Sequence, residues 1–150
     1  MAISAAKPAA MNVYPITATL MSRELHALFD REPFIHISTF GGAEPGCAAA
    51  LAVLDVIEAP GFLERVRAVA ARFRDELKGR PYTLRQRGLM MGLAFPVEHG
   101  GMMATKLLFD AGLFALYANN DTSVLQLLPP LTVTDDEVAE ILRILKGTLG

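Results

Sequence analysis

The chain reads as an α+β domain in which a small, mostly antiparallel sheet is covered by helices. Three observations carry that expectation. Two segments repeat their apolar residues at three- and four-residue steps, as helices with one buried face do: Leu63, Val66, Ala70, Phe73 and Leu77, then Val138, Ile141, Leu142 and Leu145. Four short apolar runs are paired across turn residues: Tyr82–Gln86 and Leu89–Phe95 about Arg87-Gly88, and LFALYA and SVLQLLPPL about Asn119-Asn120-Asp121-Thr122. The length, 150 residues, is enough for one domain with a real core.

From the start of the chain, Ile3 to Ala6 suit the end of a strand. VYPITATLM is an apolar, β-rich run that Pro15 confines to an edge or a strand end. By position alone Lys7 is a solvated charge near a terminus. Ser22 suits the N-cap of a short helix in which Leu25, Leu28 and Phe29 share a face and His26 lies on the surface, with Asp30-Arg31-Glu32-Pro33 ending it.

Phe34, Ile35 and Ile37 read as an extended piece with Ser38-Thr39 at its exit. Gly41-Gly42 follows, permitting positive φ and close backbone approach. From Pro45 onward, Gly46, Cys47, Ala48, Ala49, Ala50 and Ala52 make a helix with so little bulk that its neighbours must lie close against it. A hydroxyl pair, a glycine turn and a helix start suit an anion such as a phosphate; a tight turn feeding a buried helix explains the same residues without chemistry. His36 has the same two explanations, a place on the phosphate side or simple alternation in an extended segment. Cys47 reads as a small buried hydrophobe.

Ala59-Pro60-Gly61 makes a turn into a helix over residues 62 to 78, whose charged residues form a solubilising face. Gly79-Arg80-Pro81 breaks it. The run from Leu89 to Phe95 is nearly continuous in apolar residues and is expected to be a buried strand, with Met90 and Met91 filling the core. Gly100-Gly101 precedes a helix from about Met102 to Ala111, with Gly112 as its C-cap. Pro129-Pro130 stops the last strand, and Thr134 with Glu137 forms a capping box for the final helix.

Composition narrows the class of function. The chain is 52% hydrophobic with a mean hydropathy of +0.34, so some apolar surface should have a partner. A net charge of −2 and a pI near 5.9 leave no electrostatic footprint for nucleic acid. One cysteine excludes an intrachain disulfide and suits a reducing cytoplasm. No run approaches the roughly 18 apolar residues of a membrane span, and no cationic region precedes an apolar core at the N-terminus. The three histidines have no metal-site spacing. The expectation is a soluble, cytoplasmic protein with neither nucleic acid nor membrane as partner.

Three motifs then point to a family. STFGG before an Ala-rich helix resembles the segment that reads STFGGNP in most class III (ornithine-type) pyridoxal-phosphate-dependent aminotransferases. RQRGLMMGLAF resembles that family's RGxGLMxG strand pair, with Gln86 where glycine is usual. VLQLLPPL resembles its LRxxPPL, with Gln126 in place of arginine. The resemblance covers nearly the whole chain, in order, and corresponds to the C-terminal third of such an enzyme.

What the resemblance implies is specific. The fold would be that of a fold-type I enzyme, with residues 1–43 a remnant of the large cofactor-binding domain and residues 44–150 the C-terminal small domain. Lys7 would be the Schiff-base lysine, since it stands eight residues before Pro15 of VYPITA, the family's spacing to its VxPIxA-like strand. A lysine amine condenses with the aldehyde of pyridoxal 5'-phosphate and moves the substrate proton. Pro8-Ala9-Ala10-Met11-Asn12 replaces the glycine-rich stretch that usually follows this lysine. Thr39 would bind the cofactor phosphate through its hydroxyl and backbone amide, across a homodimer interface, with Ser38 a second candidate; Ala43-Glu44 replaces the usual Asn-Pro.

Gln126 would sit where amino-acid transaminases of the family hold a carboxylate with arginine, a charge that it lacks. It is either a substrate-binding residue, for an amine or for an acid held elsewhere, or a polar side chain on the solvated face of a strand. The partners implied are a small-molecule amino donor and a 2-oxo acid acceptor. In the family, the aspartate at the pyridine nitrogen, the stacked aromatic and the glycine-rich phosphate turn all lie upstream of the lysine. The isolated chain is therefore expected to bind the cofactor poorly and not to turn over. A fragment of a transaminase, one half of a split enzyme and a noncatalytic interaction module remain as readings.

Overall fold

In the computed structural model, the structure describes residues 3–5, 14 and 16–150. It divides into two compact units, Met1–Phe62 and Leu63–Gly150. No single helix among the described residues is long and apolar enough to cross a membrane.

In the first unit, β1 (Ile3–Ala5) pairs antiparallel with β2 (Ala18–Leu20). The helix α1 (Arg23–Arg31) starts where Ser22 predicts, its hydroxyl accepting from the Leu25 N–H at 3.4 Å. The expected strand at Phe34–Ile37 is absent. The Ile35 N–H closes a turn on the Glu32 carbonyl at 3.0 Å, so the chain folds back instead of extending, and Phe34 is 82% exposed. Alternation therefore does not explain His36, whose ring instead meets Phe29 edge-on at 6.4 Å.

The Ala-rich helix α2 (Glu44–Ile57) forms as expected with Pro45 in its first turn, where a missing N–H costs nothing. Its close packing is confined to Gly46, the one buried residue of α2. A Cβ there would come within 2.7 Å of the Tyr14 ring. Cys47 is exposed rather than buried: among the described residues of the first unit, close packing on α2 is at Gly46, and the next position faces outward.

The second unit holds the core. The helix α3 (Phe62–Glu76) leads into β3 (Thr83–Arg87) and β4 (Met90–Ala94), then α4 (Gly100–Asp110), β5 (Leu116–Ala118), β6 (Asp121–Leu127) and α5 (Asp135–Leu149). The strands form one antiparallel sheet in the order β3-β4-β6-β5. The β3–β4 turn falls on Gly88-Leu89, one residue later than expected, because Gly88 takes φ +59° at the first central position. β5 is shorter than LFALYA, since the Leu113 N–H is held by the Leu108 carbonyl at the end of α4.

One face of the sheet is covered. Met91 and Leu93 of β4 and Leu125 and Leu127 of β6 enter a core with Phe73 and Leu77 of α3, Leu108 of α4 and Val138, Leu142 and Leu145 of α5. β4 therefore alternates rather than being buried throughout: Met91 is 2% exposed and Met90 62%. Only Met91 of the methionine pair fills the core. Gly100 and Gly101 belong to α4 itself, and a Cβ on Gly101 would overlap the Val124 backbone, which is why the helix lies so close to β6. The capping box at Thr134 and Glu137 is present in both directions.

Polar contacts tie the helices together around this core. Arg65 donates to the Val133 carbonyl at 2.6 Å, just before α5. Gln86, facing the core where glycine is usual in the resembling pattern, donates its amide to Ala70 O at 2.8 Å and to Gly88 O at 3.0 Å, leaving its Oε1 buried without a partner among the described residues. Glu76 accepts from Lys146 of α5 and from Arg72, and these two hydrogen bonds, Lys146 first, hold its carboxyl below the ordinary glutamate range. A carboxyl lowered in the folded state contributes stability above its unfolded pKa, and that contribution disappears as pH falls through the folded value. Glu76→Gln is thus expected to lower stability by roughly 0.2–1 kcal/mol at pH 7, with the gap to wild type closing below about pH 4; urea unfolding across pH checks it, and a gap constant down to pH 2 contradicts it. Gly101→Ala is expected to cost about 1–3 kcal/mol from overpacking, read in the same titration.

Candidate functional site

Ser38 and Thr39 lie in a tight, exposed turn directly before α2. The Gly41 N–H donates to the Ser38 carbonyl and the Ala43 N–H to the Phe40 carbonyl, each at 3.3 Å, so the chain makes two successive turns before the helix. The two glycines are needed for different reasons. A Cβ on Gly41 would meet the Ser38 side chain at 3.0 Å, whereas Gly42 has open space but a φ of +69°.

The turn ends on a helix start that Ala43 leaves without a side-chain cap. Two hydroxyls thus precede, across two turns, a helix start whose first-turn N–H groups and positive dipole end have no side-chain cap, residue types that suit a phosphate. Glu44, in the first turn, opposes an anion there. Close by in sequence, an open hollow of about 810 Å³ is lined by Thr17, Thr19, Met21, His26, Phe29 and His36. His26 is paired with Asp30 at 3.3 Å and His36 rests on Phe29.

The expected site residues fall in separate places. Ser38 and Thr39 are brought together in the first unit; Gln126 lies on β6 in the second; Lys7 lies outside the described residues. Gln126 is exposed, on the sheet face opposite the core, beside Gly92 of β4 and Leu116 of β5. Its amide is thus directed away from Leu125 and Leu127, and it plays no part in packing. Sequence reasoning passed over Arg85, which shares that open face and pairs with Gly92. The signal was available: alternation from the core residue Leu93, whose β3 partner is Leu84, places Arg85 outward.

Comparison with known proteins supplies the context. The family model "Aminotransferase class-III" matches residues 1–149. An aminotransferase of Archaeoglobus fulgidus, itself uncharacterized, is 40% identical over 154 residues, taking in 98% of this chain and 36% of that protein. The acetylornithine aminotransferase of Caldanaerobacter subterraneus is 35% identical over 143 residues, 91% of this chain and 35% of its own length. Among solved structures, the acetylornithine aminotransferase of Elizabethkingia anophelis superposes with a TM-score of 0.84 at 26% identity, over 99% of this chain and 40% of that one. The PMP-bound aminotransferase of Vibrio fluvialis gives 0.84 at 26% identity, over 99% and 37%. The chain thus spans a little over a third of the length of the relatives that it matches.

A pair of glycines tests the geometry of the turn. Gly42 and Gly147 both have open space for a Cβ, but only Gly42 has a left-handed φ. Gly42→Ala is expected to destabilise by roughly 1 kcal/mol, whereas Gly147→Ala, within α5, stabilises by a few tenths to about 1 kcal/mol. Thermal unfolding of the two variants reads the signs, and a stabilising Gly42→Ala would show that the turn does not depend on left-handed backbone.

Proposed function

The chain belongs to the class-III aminotransferases, and on that premise we propose that it is the part of a pyridoxal-phosphate-dependent transaminase that carries Lys7 and the small domain. Its sheet and helices are those of a small domain of the fold-type I enzymes. The boundary at residues 43/44, between a remnant of the cofactor-binding domain and this small domain, is part of the proposal. The observation that carries the reading is the match of the family over residues 1–149.

The reaction assigned is transfer of an amino group between an amine or amino acid and a 2-oxo acid or aldehyde. Pyridoxal phosphate supplies an aldehyde and an electron sink when bound. Lys7 contributes the amine that holds the cofactor and, once released, the base that takes the proton from the substrate carbon. Thr39, with Ser38 beside it in sequence, holds the phosphate ahead of α2, whose uncapped first-turn N–H groups suit an anion. Gln126 faces the substrate from the open side of the sheet.

A second subunit completes this picture. Phe34, Ile35, Ile37 and Phe40 are all exposed beside the hydroxyl turn, a concentration of apolar surface that suits a partner in a homodimer. The single thiol, Cys47, exposed on α2, suits a reducing cytoplasm.

The test uses the complete protein loaded with pyridoxal phosphate, reduced with borohydride and digested. The pyridoxyl label is expected on the peptide carrying Lys7 and to be lost from it in Lys7→Ala, whereas Thr39→Ala keeps the label but loses cofactor on dialysis at least tenfold faster. Label spread evenly over Lys7, Lys78, Lys106 and Lys146 would overturn the assignment.

A further inference from the structure

Two side chains of the second unit bury a polar atom that nothing among the described residues meets: the Tyr82 hydroxyl and Gln86 Oε1. Both line one open hollow of about 470 Å³, between the C-terminal end of α3 and the edge strand β3. Arg74, Leu77 and Lys78 form its other wall, and Leu84 lies between the two polar residues in the chain. Buried polar groups are almost always paired, so two orphans in a single hollow mark an incomplete site.

The two atoms ask for different partners. The Gln86 amide nitrogen is fully used, on the Ala70 and Gly88 carbonyls, so the side chain is oriented and its oxygen is left to accept. Tyr82 is 8% exposed, and burial raises its hydroxyl above the usual tyrosine range, against the opposing charge of Arg80. It therefore stays protonated and donates. A hydroxyl group answers either need, since it both donates and accepts. The two residues are four apart in sequence, which puts their Cα atoms at most about 14 Å from each other. One water or one small ion does not reach both, whereas a short chain of hydroxyl-bearing carbons does.

The rim adds charge. The ion pairs of α3 engage Arg65, Arg67 and Arg72, and leave the exposed Arg74 and Lys78 outside them. Asp75 is the one carboxylate among the residues lining the hollow, so its mouth carries one positive charge in excess, which suits a monoanion.

We propose that this hollow binds a small polyhydroxylated carboxylic acid, a sugar acid, with hydroxyls on Tyr82 and Gln86 and the carboxylate at the rim with Arg74 and Lys78. Leu77 and Leu84 meet its carbon chain. Glycine at position 86 would remove the acceptor, so the site arises from this chain's departure from the RGxGLMxG pattern. Nothing in it uses Lys7, Thr39 or Gln126.

Calorimetry with gluconate, glucitol and hexanoate on the complete, cofactor-loaded protein tests it. Wild type is expected to bind gluconate at least tenfold more tightly than glucitol, which lacks the charge, or hexanoate, which lacks the hydroxyls. Tyr82→Phe removes an unpaired buried hydroxyl, so the free protein keeps its Tm while gluconate binding falls at least tenfold. Gln86→Met removes the acceptor and weakens gluconate as much. Arg74→Gln combined with Lys78→Gln brings gluconate down to the level of glucitol and leaves glucitol unchanged. Absence of gluconate binding by wild type would mean that ordered water alone fills the hollow, and overturns the proposal. Glucitol or hexanoate bound as tightly as gluconate overturns it too, as does gluconate binding unchanged in both Tyr82→Phe and Gln86→Met, which would put the acid elsewhere on the protein.

Discussion

The packing of one face of the sheet against α3 and α5 is the constraint on which the rest of the second unit depends. Leu93 and Leu125 are opposite each other and fully buried, and they meet Phe73, Leu142 and Leu145, which are buried as completely. Because side chains alternate along a strand, burying these residues settles where their neighbours point. Gly92 and Gln126 face outward for that reason, not through any interaction of their own. A slip of one residue in β6 would place Gln126 in the core, so the outward row and the apolar core are specified together.

Polar contacts add orientation to this core. The Lys146–Glu76–Arg72 group joins α5 to α3, Arg65 fixes the approach to α5, and Gln86 ties β3 to α3. Glu76 and Lys146 are each about a third exposed, where ion pairs contribute little to total stability. Their geometric role is larger: α3 and α5 both cross the covered face of the sheet, and the polar clasp selects among the ways in which two apolar helix faces can settle there.

The first unit follows a different balance. It is held by a strand pair, a capped helix and the close approach of Tyr14 to Gly46, and much of its apolar surface remains outside. The high apolar content of the chain is thus spent unevenly. In the second unit it makes a core, and in the first it appears as Phe34, Ile35, Ile37, Phe40 and Leu51 on the surface, next to the hydroxyl turn. Exposed aromatic and β-branched side chains are costly in water.

Much was legible in the sequence wherever the relevant free energy is local. The Ser22 and Thr134 caps, the two amphipathic helices, the paired strands, the breaks at Gly61 and Gly112 and the glycine turn before α2 all depend on residues within about one helical turn, and all were read from the sequence. The family motifs were equally visible, because they are strings of neighbouring residues. Tertiary structure decided the remainder: that β4 is buried on one face only, that Phe34–Ile37 turns back, that Cys47 is exposed, and that Arg85, Gly92 and Gln126 share a row. The turn at Phe34–Ile37 is local, closed by Ile35 on Glu32, and went against the apolar pattern; the others depend on partners distant in the chain, and burial and strand register are set by what the rest of the fold leaves beside a residue, which local pattern does not contain.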